Sequence, residues 1–220
     1  MVKAMKVLII TGGTIHPGFV KSYIQGKHFD RIIVADSGLE KVKESALVPT
    51  DIIGDFDSLK NKELLLEYKK RGVPVQTFPV KKDYTDTHLA VLFAARLHPS
   101  RITILGATGT RYDHSLANIG LLQWLCDQGT GCVIADEHNE IEMLRGPGEK
   151  CYKKDSRLPF FSLLAWGGQA RGIDLSGFAY PLENGILTTD ISRGISNEIT
   201  GETARVKLKS GYLLIIRSCD

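Results

Sequence analysis

The sequence is short of several features that would decide its class at once. It has four cysteines, Cys126, Cys132, Cys151 and Cys219, and no two of them form a Cys-x-x-Cys pair. A zinc framework is therefore not expected, and the thiols are read as free. Long apolar runs are missing near the start, where the longest stretch is Val7-Leu8-Ile9-Ile10. Four residues can neither span a bilayer nor form a signal core, so a cytoplasmic protein with no membrane partner is expected. Neither sign of charge dominates: 28 Lys and Arg stand against 25 Asp and Glu, a formal net charge of +3, with no long basic run. That balance argues against a nucleic-acid partner held mainly through its phosphates. The P-loop pattern G-x-x-x-x-G-K-[ST] and the dinucleotide fingerprint G-x-G-x-x-G are both absent. Internal repeats and low-complexity segments are absent too.

What is present is ordinary globular composition, 43% hydrophobic and 24% charged over 220 residues, enough for one domain or two small ones. The first two-thirds alternates short apolar runs with helical patterns. "KVLII", "RIIVA", "DIIG", "VPVQTFPV", "RITIL" and "GCVIA" read as strands, and "LEKVKESAL", "NKELLLEYKKRG", "TDTHLAVLFAARLH" and "SLANIGLLQWLCDQG" as helices. Strand–helix alternation at this spacing predicts right-handed crossovers and a mainly parallel sheet covered on both faces. After about Glu137 the long helical patterns stop. "EIEMLRG", "FFSLLAWG", "GIDLSGFAYPL", "ARVKLKSG" and "YLLIIRSC" are short runs separated by Gly, Pro, Asn and Asp, the pattern of an antiparallel sandwich. The expected organisation is an α/β N-terminal domain over residues 1–139 and an all-β C-terminal sandwich domain over 140–220.

The acidic residues then fall into a pattern. Asp36 ends "RIIVAD", Asp55 and Asp57 follow "DIIG", Asp86 opens a helix after the next strand, and Asp113 follows "RITILG" and its glycine loop. C-terminal strand ends of a parallel sheet share one edge, and ligands of open α/β sheets bind there. Residues two apart in extended chain face the same way, so Asp55 and Asp57 are expected to point together. Two such charges about 6 Å apart repel by roughly 3 kcal/mol at an effective dielectric near 20. Either one carboxylate keeps a proton or a cation sits between them. Mg²⁺ suits the second answer, because it takes oxygen ligands and shares them with substrate phosphates. The metal-ligand candidates are Asp36, Asp55, Asp57 and Asp86. Singly, each fits a turn former or helix cap equally well.

The basic residues fit a phosphate. Lys81 and Lys82 precede Asp83 and Asp86, and Thr85 or Asp83 is placed to cap the following helix, leaving backbone N–H groups near the cluster. Arg111 follows the glycine loop "GATGT" and can bridge phosphate oxygens bidentately. Gly12 and Gly13 in "TGGT" form a further glycine turn at the same edge. His114 and Asn118, one helical turn apart, either orient Arg111 or a nucleotide or satisfy a helix start locally. Trp124 reads as core.

Taken together, these segments resemble the thiamin pyrophosphokinase family. "ADSG" at 35–38 resembles its A-D-G-G, "GDFDS" at 54–58 and "KDYTD" at 82–86 match its distinctive stretches, and "GATGTRYDHSLAN" at 106–118 resembles its G-G-R-x-D-H-x-L-x-N. "GFAYPLEN" and "GISNE" match its C-terminal part. Ser37 and Thr110 depart from the pattern by adding a side chain where the family has glycine. The resemblance implies transfer of a pyrophosphoryl group from ATP to the thiamin hydroxyl, giving AMP and thiamin diphosphate, by a homodimer with thiamin near the subunit interface. It further implies Mg²⁺ and phosphates on Asp36, Asp55, Asp57 and Asp86. Lys82, Arg111, Asp113, His114 and Asn118 would serve the nucleotide, and Ser196 and Asn197 would hydrogen-bond the aminopyrimidine. Trp166 is a candidate wall for the cationic thiazolium, or else a sandwich core residue. Two rival readings are a non-catalytic thiamin or nucleotide sensor and a different D-x-D metal-dependent nucleotide enzyme.

Overall fold

The computed structural model describes residues 4–220 and divides into two compact units, 1–137 and 138–220. In the first unit, β1 (Lys6–Ile10), β2 (Arg31–Ala35), β3 (Asp51–Gly54), β4 (Val75–Thr77), β5 (Arg101–Leu105) and β6 (Gly131–Ala135) form parallel pairs in the order β6-β5-β1-β2-β3-β4. Apart from β4 and Thr103 of β5, the strand interiors are apolar runs, and Val7 to Ile10, Ile52, Ile102, Ile104 and Leu105 are fully buried. That is what a sheet covered on both faces requires.

The helices are α1 (Pro17–Ile24), α2 (Gly38–Ser45), α3 (Lys62–Lys70), α4 (Asp86–Ala95) and α5 (Tyr112–Asp127). The first is absent from the sequence reading: its two turns begin on Pro17-Gly18, which reads as a loop until the proline is recognised at the first helical position. β4 is shorter than its apolar run suggests, because Pro74 and Pro79 flank it and proline cannot donate to the ladder. Trp124, expected in the core, is 37% exposed on α5.

The second unit has two antiparallel sheets. One has the order β12 (Asn197–Glu198), β9 (Phe160–Ala165), β14 (Tyr212–Ser218), β7 (Asn139–Arg145); the other has β11 (Leu182–Leu187), β10 (Ala170–Ser176), β13 (Thr203–Leu208), β8 (Gly148–Lys153). Phe161, Ile173, Val206, Leu213 and Ile215 fill the space between them. The expected sandwich is present, with β8, β11 and β12 additional to the strands read from sequence. β8 is mostly polar and β12 has two residues, so neither carries an apolar signature. No helix among the described residues is long and apolar enough to cross a membrane.

Candidate active site

The strand order of the first unit reverses between β1 and β5, the point where the C-terminal ends of an open parallel sheet leave a crevice. A cleft of about 920 Å³ lies there, lined by Asp36, Asp55, Asp57, Lys82, Asp86 and Arg111 among others. Its floor is made by backbone in close contact. The N–H groups of Thr11, Gly13 and Thr14 donate to the carbonyls of Leu105, Gly106 and Thr108, each at 2.9 Å, and Thr11 Oγ1 donates to Gly106. The Gly13 N–H is thereby engaged within the protein and is not available to a phosphate. Asn118, for which the sequence leaves open both a nucleotide role and local satisfaction of a helix start, is buried at the cleft lining and donates from Nδ2 to the Ala107 carbonyl at 2.7 Å, pinning the second glycine loop. Asn118→Ala should leave that carbonyl unpaired and lower stability by about 1–3 kcal/mol, read by urea denaturation.

Asp36, Asp55 and Asp57 do converge, each offering an oxygen within 4.8 Å of the others. The reason is not the extended-chain alternation expected. β3 ends at Gly54, and Phe56 adopts a left-handed conformation with φ +61°. For an aromatic residue this costs about 1–2 kcal/mol. It turns Phe56 into the core, where it is 5% exposed, and leaves the two carboxylates on the open side. Burying the ring contributes about 1.5–3 kcal/mol, which offsets the strain. The Asp57 N–H donates to Asp55 Oδ1 at 3.1 Å and tightens the turn. Gly54, at φ +158°, allows the approach of the neighbouring strand end: a Cβ there would lie 3.2 Å from Asp36 N and Cα.

Asp86 is not in this group of three. Its Oδ1 lies 3.1 Å from Lys82 Nζ, which also donates to Asp55 Oδ2. Burial raises the Asp55 carboxyl, but the Lys82 ammonium and the Asp57 N–H outweigh it, and the net direction is down. Burial likewise raises Asp86, and the charges of Asp55 and Asp36 hold it above the usual carboxylate range despite Lys82. Burial disfavours the Lys82 ammonium, yet its two carboxylate partners hold its proton more firmly than usual. Ser58, given no role in the sequence reading although it closes "GDFDS", donates to Asp36 Oδ2. Asp36 Oδ1 is buried with no hydrogen-bond partner.

Thr85, not Asp83, caps α4, accepting from the His88 N–H at 3.2 Å. Asp83 and His114 are exposed and line the cleft. Arg111 is exposed and held by Asp113, with Nε donating to Oδ1 at 3.1 Å and Nη2 to Oδ2. That pairing holds the Asp113 carboxyl down to about 2. A carboxyl NMR titration should place Asp113 near that value, and Arg111→Ala should return it toward the ordinary aspartate value. Because the folded value is depressed, the pair is intact above the unfolded value and is lost only as pH falls through about 2. The departures from the family pattern lie on the cleft side: a Cβ at Gly12 would overlap Ser37 Oγ, so Gly12 accommodates the extra side chain, and Thr110 is exposed.

The second unit has its own cavity of about 350 Å³, mainly apolar, lined by Leu163, Tyr180, Leu182, Leu187, Arg193 and Asn197 among others. Asn197 is buried. Its Oδ1 accepts from the N–H groups of Tyr180 and Glu198, and its Nδ2 donates to the Tyr180 carbonyl at 2.8 Å. The amide thus clamps the Tyr180 backbone and keeps a single N–H for any ligand. Ser196 is exposed at φ +55°, its N–H donating to Ser162 Oγ at 3.0 Å. Trp166, expected as a wall of a thiazolium pocket, is half-buried just past β9 and lines neither this cavity nor the cleft of the first unit.

Known proteins share this fold and the family of these motifs. A family model described as thiamin pyrophosphokinase, catalytic domain, matches residues 24–134, and one described as thiamin pyrophosphokinase, vitamin B1 binding domain, matches 150–213. The chain is 32% identical over 188 residues to the thiamine pyrophosphokinase of Bacillus subtilis, covering 86% of this chain and 87% of that one. The crystal structure of the thiamine pyrophosphokinase from Bacillus subtilis superposes with a TM-score of 0.87 at 29% identity, covering 98% of this chain and 99% of that one. The thiamin pyrophosphokinase from Geobacillus thermodenitrificans gives 0.84 at 29% identity, with 98% of each chain covered. Models for both halves, a curated relative and whole-chain structural neighbours all agree: the chain belongs to the thiamin pyrophosphokinase family.

Proposed function

We propose that the protein transfers the pyrophosphoryl group of ATP to the hydroxyl of thiamin, releasing AMP and thiamin diphosphate. The observation that carries this reading is the convergence of Asp36, Asp55 and Asp57 at the sheet's switch point in a chain of this family. The residues fit a divalent cation: three carboxylates supply hard oxygen donors, and the buried Asp36 Oδ1 has no protein partner. Mg²⁺, when bound, would neutralise charge on the phosphates. Asp36, Asp55 and Asp57 would hold it. Asp86 serves chiefly by orienting Lys82.

Attack falls at the β-phosphorus with AMP leaving, a reaction that needs alignment and charge neutralisation more than covalent help. Lys82 and Arg111 bring positive charge to the phosphates. Asp113 presents the Arg111 guanidinium with its plane fixed, and His114, Asp83 and the start of α4 complete the nucleotide side. One aspartate of the cluster accepts the hydroxyl proton as the bond forms. The apolar cavity of the second unit takes thiamin, with Asn197 holding the Tyr180 wall; Ser196 lies outside its lining, and its aminopyrimidine role rests on the family motif. A homodimer completes the thiamin site. Asn197→Ala should raise the thiamin KM several-fold more than the ATP KM; equal effects would remove Asn197 from the thiamin side.

Product analysis tests the reaction. With ATP, Mg²⁺ and thiamin, AMP and thiamin diphosphate should appear in equal amounts, and neither without thiamin. Thiamin-independent release of orthophosphate would support a different D-x-D enzyme, and binding without turnover a sensor; the complete aspartate set argues against the latter.

A further inference from the structure

We propose that Lys82 is a resident counter-ion that occupies Asp55 while the cleft is empty and leaves it for the nucleotide phosphates, so that the free protein resists a bare divalent cation. The inference rests on the metal and nucleotide assignment of the preceding section and concerns the order in which the site fills.

The oxygens of the cluster are unequally engaged. Asp55 has both in use, Oδ1 accepting from the Asp57 N–H at 3.1 Å and Oδ2 from Lys82 Nζ. Asp36 gives one oxygen to Ser58 and keeps the other free. A cation taking an oxygen of Asp55 as well as those of Asp36 and Asp57 therefore meets an ammonium already seated there. Like charges at such separations repel strongly in a partly buried site.

Lys82 is built to stay in the absence of ligand. Its side chain is 13% exposed, and it sits in the loop four residues before Asp86, whose carboxylate lies 3.1 Å from it on the first turn of α4. It also lines the same cleft as Arg111 and Thr85, so phosphates entering there come within its reach. A polyphosphate entering the cleft offers the ammonium a second anionic partner and releases the Asp55 oxygen. Asp86 keeps hold of Lys82 as it changes partners. The device stops the carboxylates from closing on a metal ion that carries no substrate.

The test uses the full chain and two ligands measured separately. Mn²⁺ is titrated calorimetrically without nucleotide, and ATP is titrated in EDTA, for wild type, Lys82→Met and Lys82→Arg. Lys82→Met should bind Mn²⁺ at least about tenfold more tightly than wild type while binding ATP several-fold more weakly. Lys82→Arg should stay near wild type in both. The opposite signs separate a counter-ion from a structural residue, whose loss would weaken both ligands together. Equal or weaker Mn²⁺ binding by Lys82→Met, in a protein that unfolds at the wild-type temperature, would overturn the proposal and leave the metal assignment standing if Asp57→Asn still lowers Mn²⁺ affinity. No Mn²⁺ binding by any variant, with or without ATP, would overturn the proposal and the metal assignment together.

Discussion

Asp57→Asn should lower kcat by about 10³-fold, the scale seen when one member of a preorganised electrostatic site is removed. The carboxylate is exposed in the cleft, whereas its neighbours Asp36 and Asp55 are half-buried. A neutral amide is a poorer ligand for a hard cation, so the Mg²⁺ concentration for half-maximal rate should rise as well. Stability should stay level or increase, because the substitution removes one of three negative charges held within 4.8 Å. Steady-state kinetics across a Mg²⁺ series, with calorimetric unfolding of the same preparation, separates these effects. Kinetics near wild type would take Asp57 out of the site, and a large loss of stability would make it a structural residue.

Gly13→Ala should have the largest effect on the fold of any single methyl group near the cleft. A Cβ at Gly13 would overlap the carbonyl oxygens of Gly106 and Thr108 and lie 2.9 Å from the Gly106 carbonyl carbon. All three are backbone atoms, so no side chain can swing away. The two loops must separate, and with them go the bonds of Gly13 and Thr14 to Gly106 and Thr108. Overpacking of this kind, with loss of those bonds, should destabilise by about 2–4 kcal/mol, read as a lower urea midpoint. The ATP KM should rise with it, since the same loops form the floor beneath Arg111. An unchanged midpoint would mean that the contact between the loops is not rigid.

These two positions show what sequence reasoning reaches and where it stops. Asp36, Asp55 and Asp57 could be brought together from sequence because each follows an apolar run, and parallel strands put their C-terminal ends on one edge. Glycine after β1 could be seen, but not that its neighbour's carbonyls leave no room for a methyl group. Nothing in the sequence marks Phe56 as the turning point. Only the fold shows that its burial reverses the backbone and that this reversal aims the acids. The family motifs name Asn118 and Asn197, yet Asn118 Nδ2 donates to a backbone carbonyl at the cleft and the Asn197 amide is mostly engaged by the Tyr180 and Glu198 backbone. A motif marks that a residue type is needed without saying whether it touches the ligand or the loop that does. Asp86 and Lys82 illustrate the same limit: their separate places in a metal and a nucleotide set do not show that Lys82, in the loop before α4, pairs with both Asp86 and Asp55.

Crystals grown with Mn²⁺ and a non-hydrolysable ATP analogue test the central assembly most directly, because anomalous scattering locates the metal without assumption. The peak should lie within about 2.0–2.3 Å of oxygens from at least two of Asp36, Asp55 and Asp57, with the β- and γ-phosphates on the same ion and Lys82 turned toward them. A metal bound away from these carboxylates, or a nucleotide seated outside the crevice between β1 and β5, would contradict the assignment of this sheet edge as the catalytic centre.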